Sequence, residues 1–97
     1  MSAALTMAFR ELRKAGYFCR QHWQCCQTCG WAAIPDDKRN HAVFAHHQDD
    51  DHYARTGELY LCWRGDGELI SHTLRAHGLH VQWNGEPTAR IVVSNHC

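Results

Sequence analysis

Leu79-His80-Val81-Gln82-Trp83-Asn84-Gly85-Glu86-Pro87-Thr88-Ala89-Arg90-Ile91-Val92-Val93 is the stretch that decides the fold. Two runs of strand-forming residues flank an Asn-Gly pair, the signature of a type I′ hairpin, with Glu86-Pro87-Thr88 able to lengthen the loop. Immediately upstream, Asp66 can cap a helix running to about His77, with Leu69, Ile70 and Leu74 facing inward and Gly78 at C′. Before that helix, Glu58-Leu59-Tyr60-Leu61-Cys62-Trp63 reads as the clearest strand of the chain. A strand, a helix and a hairpin in succession belong to an α+β layer arrangement.

The rest of the chain fits around this unit. Leu5, Phe9, Leu12 and Ala15 recur at helical spacing ahead of Gly16, which predicts an amphipathic helix over 3–15. Tyr17–Trp23 reads as a strand, Gln24–Gly30 as a cysteine-rich turn, and Trp31–Ile34 as a short helical piece stopped by Pro35. Asp36–Asn40 is a solvated loop and His41–His46 a further strand. Gln48–Thr56 is acidic and reads as a turn with a single helical turn, closed by Gly57. The expectation is one small α+β domain over residues 1–97, with an antiparallel or mixed sheet of about five strands and two main helices on one face.

Composition narrows the function classes. The 97 residues carry ten Lys and Arg against ten Asp and Glu. A neutral chain lacks the basic charge from which nucleic-acid and membrane-surface binders draw affinity, so neither partner is expected. The charge is divided: residues 1–48 hold six basic and three acidic side chains, a net +3, and residues 49–97 hold four and seven, a net −3. Nine histidines make that balance depend on pH. The N-terminal stretch does not read as a secretory signal, and no apolar run approaches membrane-spanning length. A cytoplasmic location follows as the expectation, and there six cysteines are thiols or metal ligands rather than a disulfide frame.

Cys25-Cys26-Gln27-Thr28-Cys29-Gly30 concentrates the chemistry. Cys26 and Cys29 form a C-x2-C pair whose thiolates can converge on one ion. His41 and His46 complete a zinc-finger-like spacing, but five residues apart on a strand they point to opposite faces. Haem attachment needs a histidine where Gly30 stands. A thioredoxin-like redox pair, a cysteine nucleophile served by His46 or His47, and simply buried thiols remain alternatives to a bound metal. Soft thiolates combined with imidazole favour zinc among the metals.

The CCQTCG turn, the later His46-His47-Gln48-Asp49 segment and the closing Gly78-Leu79-His80-Val81-Gln82-Trp83-Asn84-Gly85 together resemble a bacterial family of unknown function. That family is marked by CCQTCG, H-x-Q-D and G-L-x-V-x-W-x-G, and the resemblance spans nearly the whole chain. It nominates Cys25, Cys26, Cys29, His46, Gln48 and Asp49, with Trp83, Asn84 and Gly85 as a structural tail. His22, His47, His52, His80, Cys19 and Cys62 are additions to the pattern. The resemblance implies no activity. With it, the expected metal ligands are Cys25, Cys26, Cys29 and His46, with Gln48 and Asp49 orienting the imidazole.

Size argues for a metal staple and against a deep catalytic cleft. The expected function is that of a small non-enzymatic protein-binding or regulatory protein, of the kind phages and mobile elements encode, with a zinc-stabilised turn. Its expected partner is another protein, a second copy of the chain being the alternative. The competing expectation is a thiol-based or zinc-dependent enzyme using the Cys25–Cys29 turn with His46 and Asp49.

Overall fold

The three- and four-residue spacing of Leu5, Ala8, Phe9 and Leu12 becomes the buried face of helix α1, Ser2–Lys14. Arg13 and Lys14 lie in its last turn, where cations complement the helix dipole. The structure, a computed structural model, describes residues 2–24 and 27–94. Strand β1 (Phe18–Arg20), helix α2 (Gln27–Ala33), a 3-10 turn at Asp36–Lys38, strand β2 (Ala42–Phe44) and helix α3 (His47–Thr56) follow. Strand β3 (Glu58–Arg64), helix α4 (Gly67–Ala76), strand β4 (His80–Gln82) and strand β5 (Ile91–Ser94) complete the order.

Helices α1 and α4 hand over to strands by the same device. Tyr17 N–H reaches Leu12 O at 3.0 Å and Gly16 N–H reaches Arg13 O at 3.0 Å. Leu79 N–H reaches Leu74 O at 3.2 Å and Gly78 N–H reaches Arg75 O at 3.0 Å. This paired closure needs a left-handed residue at C′, which Gly16 and Gly78 supply with φ of 98° and 86°. Asp66 caps α4 as the sequence predicts, its carboxylate accepting from the N–H groups of Glu68 and Leu69.

The five strands form one mixed sheet in the order β1-β2-β3-β5-β4. β1 and β2 are parallel, and every other neighbouring pair is antiparallel. The parallel pair needs a crossover, which the segment through α2 provides. β5 lies between β3 and β4 and opposes both, so β3-α4-β4 is a parallel unit split by an inserted strand. The α+β reading holds, and the sheet is mixed.

Alternation along the strands divides the interior. Leu59, Leu61, Trp63, Val43, Ile91 and Val93 pack with α1 and α4 in the larger cluster, and the two main helices share that face. Ala42, Phe44 and Cys62 pack with Ile34 on the opposite face, beside Phe18, Trp23 and Trp31. The radius of gyration is 12.1 Å, inside the roughly 12–13 Å of a folded chain this long.

Four local expectations are corrected. Gln48–Thr56 lies wholly within the ten-residue helix α3. It has little apolar periodicity and is fixed by its ends, a capping box at His46 and a left-handed Gly57. Leu69 is 39% exposed rather than inward, because the buried stripe of α4 runs through Gly67, Ile70, Ser71 and Leu74. The hairpin is not a two-residue type I′ turn. That turn needs positive φ at both central residues, and of Asn84 and Gly85 only Gly85 has it. Asn84 instead accepts a bond from Glu86 N–H, starting a longer loop that brings Arg90 to the head of β5. Finally, the second half of the cysteine turn is helical, placing Cys29 on α2.

Candidate functional site

The parallel pairing of β1 and β2 continues past the strand ends. Ala45 N–H donates to Arg20 O at 3.2 Å, Trp23 N–H to Ala45 O at 2.8 Å, and His47 N–H to Gln24 O at 3.0 Å. His22 and Gln24 adopt left-handed conformations, φ 54° and 62°. Such a conformation costs a non-glycine residue about 1–2 kcal/mol, so these bonds hold a strained path in place. The turn thus begins at a residue hydrogen-bonded to the start of α3.

His46 is not on the strand itself but serves as the N-cap of α3. Its Nδ1 accepts from Asp49 N–H at 3.3 Å, while Asp49 Oδ2 accepts from His46 N–H at 3.2 Å. The H-x-Q-D segment is therefore a capping box, with histidine where serine or threonine usually stands. The other ring nitrogen, Nε2, lies 3.2 Å from Asp49 Oδ2. Arg90 reaches the same carboxylate oxygen at 2.6 Å and the Tyr60 carbonyl at 2.7 Å. Asp49 ties the N-terminus of α3 to the head of β5.

Cys62 completes the group from β3. Ligand atoms of His46, Asp49 and Cys62 all lie within 4.8 Å of one another, and all three residues are buried. This trio can hold a metal ion. Burial pushes the Cys62 thiol up to about 11; Arg90 opposes that shift and Asp49 adds to it. Without a metal the thiol is protonated at neutral pH. An open pocket of about 430 Å³ adjoins His46 and Asp49, lined further by Gln48, His52 and Arg55 of α3 and by Tyr60 and Arg90.

Of the ligands expected from sequence, His46 is in the group, whereas Cys29 is exposed on α2 and is not a member. Cys25 and Cys26 lie outside the described residues. Asp49, expected only to orient the imidazole, supplies a ligand atom itself. Sequence reasoning missed Cys62, Tyr60, His52 and Arg90. The signal for two of them was present: alternation in Glu58–Trp63 sets Tyr60 and Cys62 on the face opposite Leu59, Leu61 and Trp63. Nothing local marks Arg90, which reaches Asp49 across 41 positions.

Among the described residues, no helix is long and apolar enough to cross a membrane. The model of the family described as Domain of unknown function (DUF6891) matches residues 2–97, and the chain belongs to that family. No curated protein and no solved structure matches it.

Proposed function

We propose that this member of a family of unknown function is a small, non-enzymatic zinc-binding protein that acts by engaging another protein. The observation that carries the metal reading is the buried trio His46, Asp49 and Cys62, with donor atoms within 4.8 Å. Two donors bonded to zinc at about 2.0 Å with a tetrahedral angle stand roughly 3.3 Å apart. His46 Nε2 and Asp49 Oδ2 are 3.2 Å apart, so that edge needs little movement.

A zinc ion held at Nε2 would leave the ring proton on Nδ1, in place of the 3.3 Å cap bond from Asp49 N–H. A metal–nitrogen bond outweighs that long contact. Charge balance then favours thiolates from the cysteine turn. Zinc with the Cys62 thiolate and one turn thiolate is neutral, and Arg90 already balances Asp49. Gln24, the residue before Cys25, accepts a hydrogen bond from the N–H of His47, the chain neighbour of His46. Cys25, Cys26 and Cys29 remain the proposed source of the one further ligand that a tetrahedral zinc takes.

A Cys62 nucleophile is disfavoured, because a thiol raised to about 11 is the reverse of an activated one. The partner reading draws support from Met7 and Leu69, large apolar side chains exposed on the two helices that share one face. Metal analysis of the untagged protein tests the zinc reading. About one equivalent is expected; Cys62→Ser should lose it, and so should the serine variant of whichever of Cys25, Cys26 and Cys29 supplies the fourth ligand, with melting temperature falling as metal is lost. Metal-free wild type together with unaltered melting of the Cys26 and Cys29 variants would sink the zinc staple.

A further inference from the structure

The pocket beside His46 and Asp49 carries more donor capacity than the protein uses. Gln48, His52 and Arg55 project from α3 at spacings of four and three residues, which places them on one face of the helix. Two guanidiniums and one carboxylate line the pocket, a net +1 with the histidines neutral, in a half of the chain that is otherwise acidic. Arg90 is committed to Asp49 and to the Tyr60 carbonyl. Among the described residues, no carboxylate pairs with Arg55.

His52 adds a second, independent sign. Its Nε2 is buried and, among the described residues, has no hydrogen-bond partner. Buried polar atoms are satisfied in the great majority of cases, by protein, water or ligand. The ring packs edge-on against Tyr60, centroids 4.9 Å apart with an interplanar angle of 87°. Tyr60 in turn lies 5.7 Å from the Arg90 guanidinium. The pocket therefore combines a cation with no carboxylate partner among the described residues, a histidine whose Nε2 is buried and unsatisfied, and the flat Tyr60 ring.

We infer that this pocket binds a small organic molecule through an oxyanion headgroup, a phosphate or a carboxylate, with Arg55 on the anion, His52 rotating to bring its buried Nε2 to it, and Tyr60 against its apolar body. Arg55 supplies the charge-assisted bonds that such headgroups favour. The size fits: small-molecule sites run from about 300 to 1,000 Å³. The inference goes beyond the zinc reading and does not depend on it, because Arg55 and His52 are not among the metal-holding residues.

The test is an amide chemical-shift titration of the full chain with phenyl phosphate, with benzoate, and with benzyl alcohol as the neutral control. At least one anion should saturate shifts centred on residues 48–56, and the stronger of the two identifies the headgroup. Arg55→Gln should weaken that binding about tenfold, and Arg55→Glu should abolish it, with melting temperature and metal content unchanged. Arg10→Gln, at an exposed position on α1, should leave it intact. The inference is overturned if neither anion saturates those amides, if benzyl alcohol binds as well, or if Arg55→Gln binds like wild type. An unchanged metal content in Arg55→Gln keeps this outcome separate from the fate of the zinc reading.

Discussion

The two faces of the sheet are built to different specifications. The face under α1 and α4 is a closed apolar layer in which Phe9, Leu61, Ile70, Leu74, Ile91 and Val93 are fully buried. The face under α2 and α3 mixes Ile34, Ala42 and Phe44 with aromatic rings, a buried histidine and aspartate, and the pocket. Each face holds a buried thiol, and the two thiols register the difference. Cys19 has its thiol pushed up to about 12 by burial, with Arg13 and Arg20 opposing the shift. Cys62 is raised less, to about 11, with Arg90 and Asp49 beside it. One face supplies stability by area; the other holds polar groups that must be paired to stay buried.

The largest expected effect breaks the apolar face. Phe9→Ala should cost about 3–5 kcal/mol in urea unfolding and leave metal content per folded molecule unchanged. Asp49→Ala comes next, at about 2–4 kcal/mol, because it removes the capping box, the carboxylate that balances Arg90 and the acceptor of the His46 N–H. If Asp49→Ala unfolds at the wild-type urea midpoint, the polar face does not rest on that carboxylate. Gly30→Ala sharpens the packing side of the comparison. A Cβ there would stand 2.5 Å from Phe44 Cε2, and the overpacking should cost about 1–3 kcal/mol.

Alkaline titration compares the faces by charge. The Cys19 thiol rises from its ordinary value near 9 to about 12, so the unfolded chain loses that proton first. Its contribution is fully present below pH 9 and declines as pH rises toward 12, by roughly 1.4 kcal/mol per pH unit within that window. Subtracting Cys19→Ala from wild type at pH 8.5 and 10.5 isolates the slope from the tyrosines and lysines that titrate alongside. Equal slopes would show that Cys19 is solvated in solution. The smallest effect belongs to the outer surface of the apolar layer, where Leu69→Ala should change stability by no more than about 0.5 kcal/mol.

Legibility followed the same division. Leu5, Phe9 and Leu12 are an apolar stripe, and the stripe alone located α1 and its buried side. Asp66 announced α4 and Gly78 ended it, because a cap and a left-handed residue act on their own neighbours. Helix α3 gave no such stripe: His47–Thr56 is mostly polar, and only the reciprocal bonds between His46 and Asp49 declare where it begins. Once α3 was read as a turn, the shared face of Gln48, His52 and Arg55 could not be seen, and the pocket went with it.

The sequence by itself determined the α+β class, the two helices on one face, and the concentration of thiol and imidazole chemistry, all of which depend on residue type and spacing within about ten positions. Only the tertiary structure decided that β5 would insert between β3 and β4, and that the Cys62 thiol would come within 4.8 Å of donor atoms of His46 and Asp49. Pairing order sets which distant side chains become neighbours, and it is chosen by burial summed over the whole sheet. Arg90 meets Asp49, and Cys62 meets His46, as consequences of that choice.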